Sequence, residues 1–531
     1  PIKMKYSETK KATILGIGGE GAYYLAKFLL LLGVQIEGFD MKESERTKEL
    51  EELGAKINYR NPEEDVFDTD FYIFSSNIPS SIMDNVFKAN PKLKKYEVGE
   101  FYHKLVKDYE NNLLNEKEKD AFLKSDIAPL FNIDFCKMRY ISVTGTDGKT
   151  TTSTMVYHML KENGFKPALI TTVAAYIGNE QIDTGFHTTT PTAQNMFELI
   201  KKAEKNECTH IIIETTSHGL EQGRLAGIKF DNIGYTNITT EHLDYHKTRE
   251  RYFQAKALLI TDHLKKGGSV TLNEDDDSFV KLKEIVRTYS SYSIEKEADF
   301  YATDIVEGKD SISLKVNDLD CTLPLIGLFN VSNFLCALSI CSNEGIHLED
   351  LLSSIESLKP VVGRMEVLQQ KPFVVIVDFA HTSNSTLNAL RSAKKLVKDN
   401  GRLIHVFGCA GQRDPGKRYE MGKTSNEYAD ITILTAEDPR FESLKNINDE
   451  IERGWRDGGN KETTIFRFDD DTVNVKVRRD AIRKAFDLAQ ENDVIIITGK
   501  SHESSLCFGN VEYDWNDIDE VTDLVNEFYL M

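Results

Sequence analysis

The chain has 531 residues, 40% of them hydrophobic, enough for several buried α/β cores. Its 85 acidic and 65 basic side chains leave a net charge of −20. This excludes a nucleic-acid backbone as a main partner, which needs a basic face, but not small anionic ligands, which need only a local positive pocket.

The seven cysteines form no CxxC pair, and Cys336 and Cys341 sit in an apolar stretch as core thiols. Their dispersal fits a reducing compartment. The longest apolar run near the N-terminus, Phe28 to Leu32, is far too short to span a bilayer. The expectation is a cytoplasmic, monomeric enzyme that engages no membrane.

In chain order, Ala12 to Leu15 predicts a short strand, Ala22 to Leu32 an apolar helix closed by Gly33, and Val34 to Phe39 a second strand ending at Asp40. Between the first strand and the helix stands Gly16-Ile17-Gly18-Gly19-Glu20-Gly21. The GxGxxG pattern in a βαβ unit, with an acidic residue at the end of the second strand, fits a nucleotide diphosphate or a purely structural glycine turn. Phe71 to Ser75 predicts another buried strand. Lys104 to Lys124, rich in Lys, Glu, Asp and Asn, reads as one charged helix bridging two domains without chemistry of its own.

From about Arg139 to about Lys359 strands alternate with helices, as at Ile211 to Glu214 and Ile233 to Asn237, and Phe300 to Leu323 predicts a short antiparallel excursion. A third α/β unit starts near Val362, with strands at Val374 to Val377, Leu403 to Phe407, Ile431 to Leu434 and Val494 to Ile497. The expected domains are 1–108, Rossmann-like; a charged helical linker at 109–138; 139–360, a P-loop ATPase-like α/β domain; and 361–531, a second Rossmann-like α/β domain.

The most specific motif follows the apolar run Tyr140 to Val143: Thr144-Gly145-Thr146-Asp147-Gly148-Lys149-Thr150-Thr151-Thr152. A strand, a glycine-rich loop and a helix start turn backbone N–H groups inward and add the positive end of a helix dipole, a cradle for polyphosphate. Lys149 supplies a cation for the β/γ-phosphates and Thr150 a hydroxyl for Mg²⁺. Val143 stands where the full eight-residue pattern has its first glycine. Glu214, at the end of a strand, fits a metal ligand or a buried ion pair. His242 fits a ligand or a solvated loop histidine. Lys256, on a mostly apolar helix, fits a functional lysine or one that snorkels.

In this order the motifs resemble the Mur ligases, the ATP-dependent amide-forming enzymes of peptidoglycan precursor synthesis. The segments that carry the likeness are 145–152, His-Thr-Thr-Thr-Pro at 187–191, Glu-Thr-Thr-Ser-His at 214–218, His-Leu-Asp-Tyr-His at 242–246 and Ala-Lys-Ala at 255–257. Further on come Phe-Asn-Val at 329–331, Gly-Arg-Met-Glu at 363–366, Asp-Phe-Ala-His-Thr at 378–382, Gly-Cys-Ala-Gly-Gln-Arg-Asp at 408–414, Glu-Asp-Pro-Arg at 437–440 and Gly-Lys-Ser-His-Glu at 499–503. The body is most similar to the MurE branch, which adds the third amino acid. The head, with Gly16 to Gly21, Asp40 and Ser75 to Pro79, is more similar to the MurC branch.

The resemblance implies a three-domain fold and phosphorylation of a substrate carboxylate by ATP, followed by attack of an amine on the acyl phosphate. It implies ATP contacts at Gly145, Thr146, Asp147, Gly148, Lys149, Thr150, Thr151, Asn330, Arg364, Asp378 and His381. Lys149, Lys256, His242 and Glu214 would be catalytic. Mg²⁺ would be held by Thr150, Glu214, His242 and Lys256 as its CO₂ carbamate. The UDP-muramoyl peptide would meet Gly16, Gly18, Gly19, Gly21, Asp40, Ser75, Thr189, Thr190, Ser217 and Arg224. Domain closure would exclude water from the acyl phosphate.

Asp438, Arg440, Gly499 and Glu503 would read the incoming amino acid. Arg440 suits the distal carboxylate of diaminopimelate. Asp438 stands where the diaminopimelate-adding members have Asn, and its added negative charge makes L-lysine a competitor. Ser501 replaces a glycine of the family pattern. Alternatives are a UDP-MurNAc:L-alanine ligase, a pseudomurein-type peptide ligase, or a non-catalytic nucleotide-binding regulator, which retention of Lys149, Glu214, His242 and Lys256 argues against.

Overall fold

A computed structural model describes all residues except 1–4, 63–64, 76–77, 173, 183–189, 240–247, 470–474 and 531. The described chain falls into two compact units. The first holds residues 1–137, 190–204 and 216–229; the second holds 138–189, 205–215 and 230–531.

In the first unit, strands β1 (Lys11–Leu15), β2 (Gln35–Phe39), β3 (Lys56–Asn58), β4 (Phe71–Phe74) and β5 (Lys94–Glu97) form a parallel sheet of order β3-β2-β1-β4-β5. The helix Glu20–Leu31 follows β1 and buries Leu25, Phe28 and Leu29. The expected bridging helix at 104–124 is corrected here. The segment is two helices, Val98–Glu110 and Glu116–Lys124, split at 111–115, where Asn115 caps the second. Phe101, Leu105, Ala121 and Phe122 are buried in the core of this unit, and the Tyr109 and Phe122 rings stack at 4.3 Å. Charge dominates the composition of this stretch, but its apolar side chains fall at helical spacing on one face, which packs inward.

The second unit contains two large sheets and a two-stranded antiparallel one, Ser505–Phe508 with Val511–Asp514. Strands β6 (Arg139–Thr144), β7 (Pro167–Ile170), β8 (Ala175–Ile177), β9 (Glu180–Ile182), β10 (His210–Thr215), β11 (Phe230–Tyr235), β12 (Leu264–Asn273), β13 (Ser290–Ser293), β14 (Phe300–Glu307), β15 (Ile312–Val316) and β16 (Leu319–Leu323) form one sheet. Its order is β16-β15-β14-β13-β12-β11-β6-β10-β7-β8-β9. The middle strands are parallel, and the antiparallel excursion is β14 to β16 at one edge. In β6 every residue after Arg139 is buried, as in β10, because both faces of a parallel sheet are covered.

The other large sheet comprises β17 (Glu366–Gln369), β18 (Val374–Asp378), β19 (Leu403–Phe407), β20 (Ile431–Leu434), β21 (Thr464–Arg467) and β22 (Val494–Thr498), in the order β17-β18-β22-β19-β20-β21. Only β17 runs antiparallel. All seven cysteines are free thiols, and among the described residues no helix is long and apolar enough to cross a membrane.

Glu344 fastens the N-terminal ends of the central strands. Its carboxylate accepts from Arg139 Nε at 2.7 Å and Asn232 Nδ2 at 3.1 Å, and lies 3.3 Å from His210 Nε2. Burial is the largest influence on its pKa and pushes it up. The hydrogen bonds from His210, Arg139 and Asn232 outweigh burial and bring it down to about 2. Glu344→Gln is therefore expected to cost roughly 3 kcal/mol at neutral pH. A folded pKa below the unfolded value gives stability that is present above the unfolded pKa and lost as pH falls. Urea unfolding of both proteins should show the gap narrowing as pH drops from about 4.5 towards 2.

Candidate active site

The phosphate loop leaves β6 at Thr144 and enters the helix Lys149–Glu162. Two glycines are required by close approach. A Cβ on Gly145 would stand 1.8 Å from Thr236 Oγ1, and one on Gly148, at φ +82°, would stand 2.1 Å from Asn333 Oδ1. Thr146 N–H donates to the Asn237 carbonyl at 2.8 Å, and the Thr146 hydroxyl lies 3.0 Å from Tyr252 Oη. Lys149 Nζ donates to the Thr146 carbonyl at 2.7 Å, so the cation is folded back over its own loop. Thr151 is buried on the first turn of the helix.

The Thr150 hydroxyl donates to Glu214 Oε2 at 2.9 Å and accepts from Arg364 Nη2 at 3.1 Å. Glu214, at the C-terminal end of β10, also accepts from Thr172 N and Oγ1 at 3.2 and 3.1 Å. A hydroxyl and a carboxylate converging beside a phosphate cradle are hard oxygen donors of the kind Mg²⁺ takes, so this pair fits that ion. Among the described residues no group of three or more His, Cys, Asp or Glu side chains assembles a metal site by itself. His242 and Thr189 lie outside the described residues.

Lys256 settles its open alternative: it does not snorkel. It is 1% exposed, and Nζ donates to the Gly145 carbonyl at 2.7 Å and lies 3.4 Å from Thr144 Oγ1. Tyr235 Oη fixes the helix that carries it by donating to the Lys256 carbonyl at 2.8 Å.

From the last third of the chain come Arg364, Asp378 and His381. Asp378, at the end of β18, accepts from the Met365 and Ala380 N–H groups at 2.7 and 2.8 Å, and burial raises its pKa. Arg364 lies over the Phe379 ring at 4.5 Å. Phe379 also faces the rings of His381 and His502 at 4.6 and 4.9 Å. Burial first, then Arg364 and Lys500, hold His502 at about 3, so this imidazole is neutral. Lys417, which the motif reading did not single out, donates to the His381 carbonyl at 2.7 Å. The Asn330 amide is engaged inside its own helix region, donating to Ile326 O and accepting from Asn333 Nδ2, and it is Asn333 that abuts Gly148. The spacing Asn330 to Asn333, one helical turn, was the available signal.

Residues 437–440 and 499–503 are joined by a hydrogen-bonded ion pair. Asp438 Oδ1 accepts from Lys500 Nζ at 2.8 Å and from the Cys507 N–H at 2.9 Å. Lys500 is 2% exposed on its side chain and also meets Glu503 at 2.5 Å. One lysine thus meets two carboxylates, Asp438 and Glu503, so the charge that Asp438 adds is partly countered within the protein. Arg440, at φ +53°, donates through Nη1 to the Gly411 carbonyl at 3.0 Å. Glu437 is 6% exposed, its Oε2 has no hydrogen-bond partner among the described residues, and burial raises its pKa. Gly499, at φ +108°, lies against that carboxylate. The Ser501 hydroxyl donates to the Gly363 carbonyl at 2.8 Å, a bond glycine would lack.

Both segments hang on a fully buried ion pair. Arg478 Nε and Nη2 each reach Asp517 at 2.7 Å, Nη1 donates to Ala436 O at 2.9 Å, and Nη2 also to Thr498 O at 3.0 Å. Asp517 in turn accepts from the Ser501 N–H at 2.9 Å.

In the first unit, Gly16, Gly18, Asp40 and Ser75 meet at the C-terminal ends of β1, β2 and β4. Asp40 Oδ2 accepts from the Gly18 N–H at 2.8 Å, Gly19 N–H donates to Gly16 O at 3.0 Å, and Ser75 N–H donates to Leu15 O at 3.1 Å. Gly21 packs the following helix closely against Val98. Thr190 Oγ1 lies 2.9 Å from Thr216 Oγ1, and Arg224 Nη1 donates to Thr190 O at 2.7 Å. Ser217 begins the short helix Ser217–Glu221.

Family models match three segments: the "Mur ligase family, catalytic domain" at 11–110, the "Mur ligase middle domain" at 143–341, and the "Mur ligase, glutamate ligase domain" at 363–501. The chain belongs to the Mur ligase family. As a Mur ligase it is an ATP-dependent, amide-forming enzyme. It is 34% identical over 401 residues, 74% of this chain and 79% of the relative, to the UDP-N-acetylmuramoyl-L-alanyl-D-glutamate–2,6-diaminopimelate ligase of Clostridium tetani. A solved structure of a ligase of the same description aligns with TM-score 0.52 and 26% identity, covering 87% of this chain and 93% of that one. The fold is also shared with a pseudomurein peptide ligase type C from Methanothermus fervidus, at TM-score 0.54 and 16% identity, over 98% of this chain and 100% of that one.

Arg478→Ala would leave Asp517 buried without its cation. The C-terminal part of this Mur ligase is expected to lose about 3–5 kcal/mol in denaturant unfolding, with the amine KM rising more than that for ATP where enough folded protein remains.

Proposed function

We propose that this Mur ligase extends UDP-MurNAc-L-Ala-D-Glu by its third amino acid, and that the amine is meso-diaminopimelate. The observation that carries the choice of amine is the Lys500 to Asp438 ion pair of 2.8 Å beside Arg440. It gives Asp438 a share of a protein cation, which weakens the argument for lysine, and Arg440 offers a guanidinium suited to a distal carboxylate.

The acceptor carboxylate attacks the γ-phosphorus of ATP and releases ADP. The amine then attacks the acyl phosphate, the C–N bond forms, and phosphate leaves. Lys149 and Arg364 counter charge on the transferred phosphoryl group. Thr150, Glu214 and His242 would hold Mg²⁺, which would supply further neutralisation there. Lys256 gives up one proton to become a free amine, takes up CO₂ at Nζ and loses a second proton, which turns a cation into a carboxylate-like anion beside the loop. Gly16, Gly18, Gly19, Gly21, Asp40, Ser75, Thr189, Thr190, Ser217 and Arg224 receive the UDP-linked peptide, and Glu503 and Gly499 complete the amine pocket. The three expected domains, bounded near 138 and 360, correspond to these tasks, and the enzyme works as a monomer in the cytoplasm.

A second reading, a pseudomurein-type acceptor, is supported by the fold shared over 98% of the chain, head included. Phosphate release with ATP, Mg²⁺ and UDP-MurNAc-L-Ala-D-Glu, offering meso-diaminopimelate, L-lysine and L-alanine separately, decides. Turnover with diaminopimelate supports the proposal, and turnover with lysine alone refutes the choice of amine. Turnover only with L-alanine on UDP-MurNAc, or with no amine at all, refutes the acceptor.

Arg440→Ala is expected to raise the KM for diaminopimelate by about 10–100-fold, the worth of a charge-assisted pair, and to change that for lysine little. Lys256→Ala is expected to lower kcat by about 100-fold or more, and CO₂ depletion should slow the unmodified enzyme reversibly. Full activity in Lys256→Ala together with indifference to CO₂ would refute the carbamate.

A further inference from the structure

A carboxylate inside a phosphate loop works against its ligand, because it repels polyphosphate. Asp147 is such a residue, one position before Gly148. Its backbone is locked: N–H donates to Asn237 Oδ1 at 3.0 Å, and its carbonyl accepts from Thr236 Oγ1 at 2.6 Å. The side chain therefore points in one direction, towards the first turn of the helix Ser383–Leu396. Asn384 Nδ2 donates to Asp147 Oδ2 at 2.9 Å, and Thr382 Oγ1 donates to Oδ1 at 3.2 Å. Thr382 caps this helix, its oxygen accepts from the Ser385 N–H at 3.0 Å, and it lies 2.7 Å from Ser385 Oγ; with Ser385 Oγ as the donor of that pair, the Thr382 proton goes to Asp147. The positive end of a 14-residue helix adds to these two donors. Arg364 and Asp378 share the surroundings and interact electrostatically with Asp147.

We propose that Asp147 is a positioning latch between the segment that carries the phosphate loop and the segment that carries Asp378 and His381. While Thr382 and Asn384 hold its carboxylate, the charge remains but is stabilised at the helix end, so that it opposes ATP less. Undocking the helix Ser383–Leu396 would remove that stabilisation. Readiness for ATP and docking of the last third of the chain are thus the same event. The latch rests on ATP being the nucleotide of this site.

The test is a charge swap in the full chain. N384D puts two carboxylates within hydrogen-bonding distance and is expected to lower kcat/KM for ATP by about tenfold or more. D147N/N384D exchanges donor and acceptor and should return it to within about threefold. Hydrogen exchange of the amides at 383–386, measured without nucleotide, should quicken in N384D and recover in the double variant. Unchanged kinetics and exchange in N384D, or a double variant no better than N384D, would overturn the latch. A merely structural pairing would be rescued too, so D147N alone separates the two: the latch predicts that removing the charge leaves kcat/KM for ATP at least as high as in the unmodified enzyme, and a tenfold fall would overturn it. If the unmodified protein fails to release phosphate from ATP, the proposed function falls, while the exchange measurement still decides the pairing.

Discussion

Everything in the second unit is organised by the need to hold a polyphosphate in a chain of net charge −20. That constraint falls on six residues between Gly145 and Thr150. The N–H groups at the start of the helix Lys149–Glu162 and one lysine would provide the attraction, while Asn237 takes the Thr146 and Asp147 N–H groups and fixes the loop before any ligand arrives. Thr236, Asn237 and Asn333 crowd the two glycines so closely that no side chain fits there. Preorganisation of this kind lets a modest set of donors stabilise a highly charged transition state without reordering as it forms.

The same economy of charge governs the rest of the site. Glu214 is met by two threonine hydroxyls, Asp438 by Lys500, Asp147 by Thr382 and Asn384, and Asp517 by Arg478. Unpaired buried charge is costly, so each carboxylate that the chemistry or the fold retains has a defined partner. Glu437 Oε2 departs from this rule, and it does so in the pocket where an ammonium of the incoming amino acid would arrive. Arg478 has a different task. It ties the strand ends before Glu437 and before Gly499 to one helix, and so holds residues 437–440 and 499–503 side by side.

Much of this was legible in the sequence because the informative positions are local. Apolar runs such as Val494 to Ile497 named the buried strands, and the spacing of glycine, lysine and threonine named the phosphate loop. What stayed hidden was pairing between distant residues. Asp438 lies 62 positions from Lys500, and taken alone it gave no sign of the cation it shares with Glu503. Lys256 is 111 positions from Gly145, and on an apolar helix its burial could not be told from snorkelling. The helices at 98–124 misled for another reason: composition reports charge, whereas packing follows the face on which Phe101, Leu105 and Phe122 fall.

The central claim is that ATP activates a carboxylate as an acyl phosphate within this loop. It is tested most directly by following oxygen. With UDP-MurNAc-L-Ala-D-Glu labelled with ¹⁸O in its γ-carboxylate, each turnover with diaminopimelate should place one ¹⁸O in the phosphate released. Phosphate free of label, with all ¹⁸O retained in the peptide, would contradict the account.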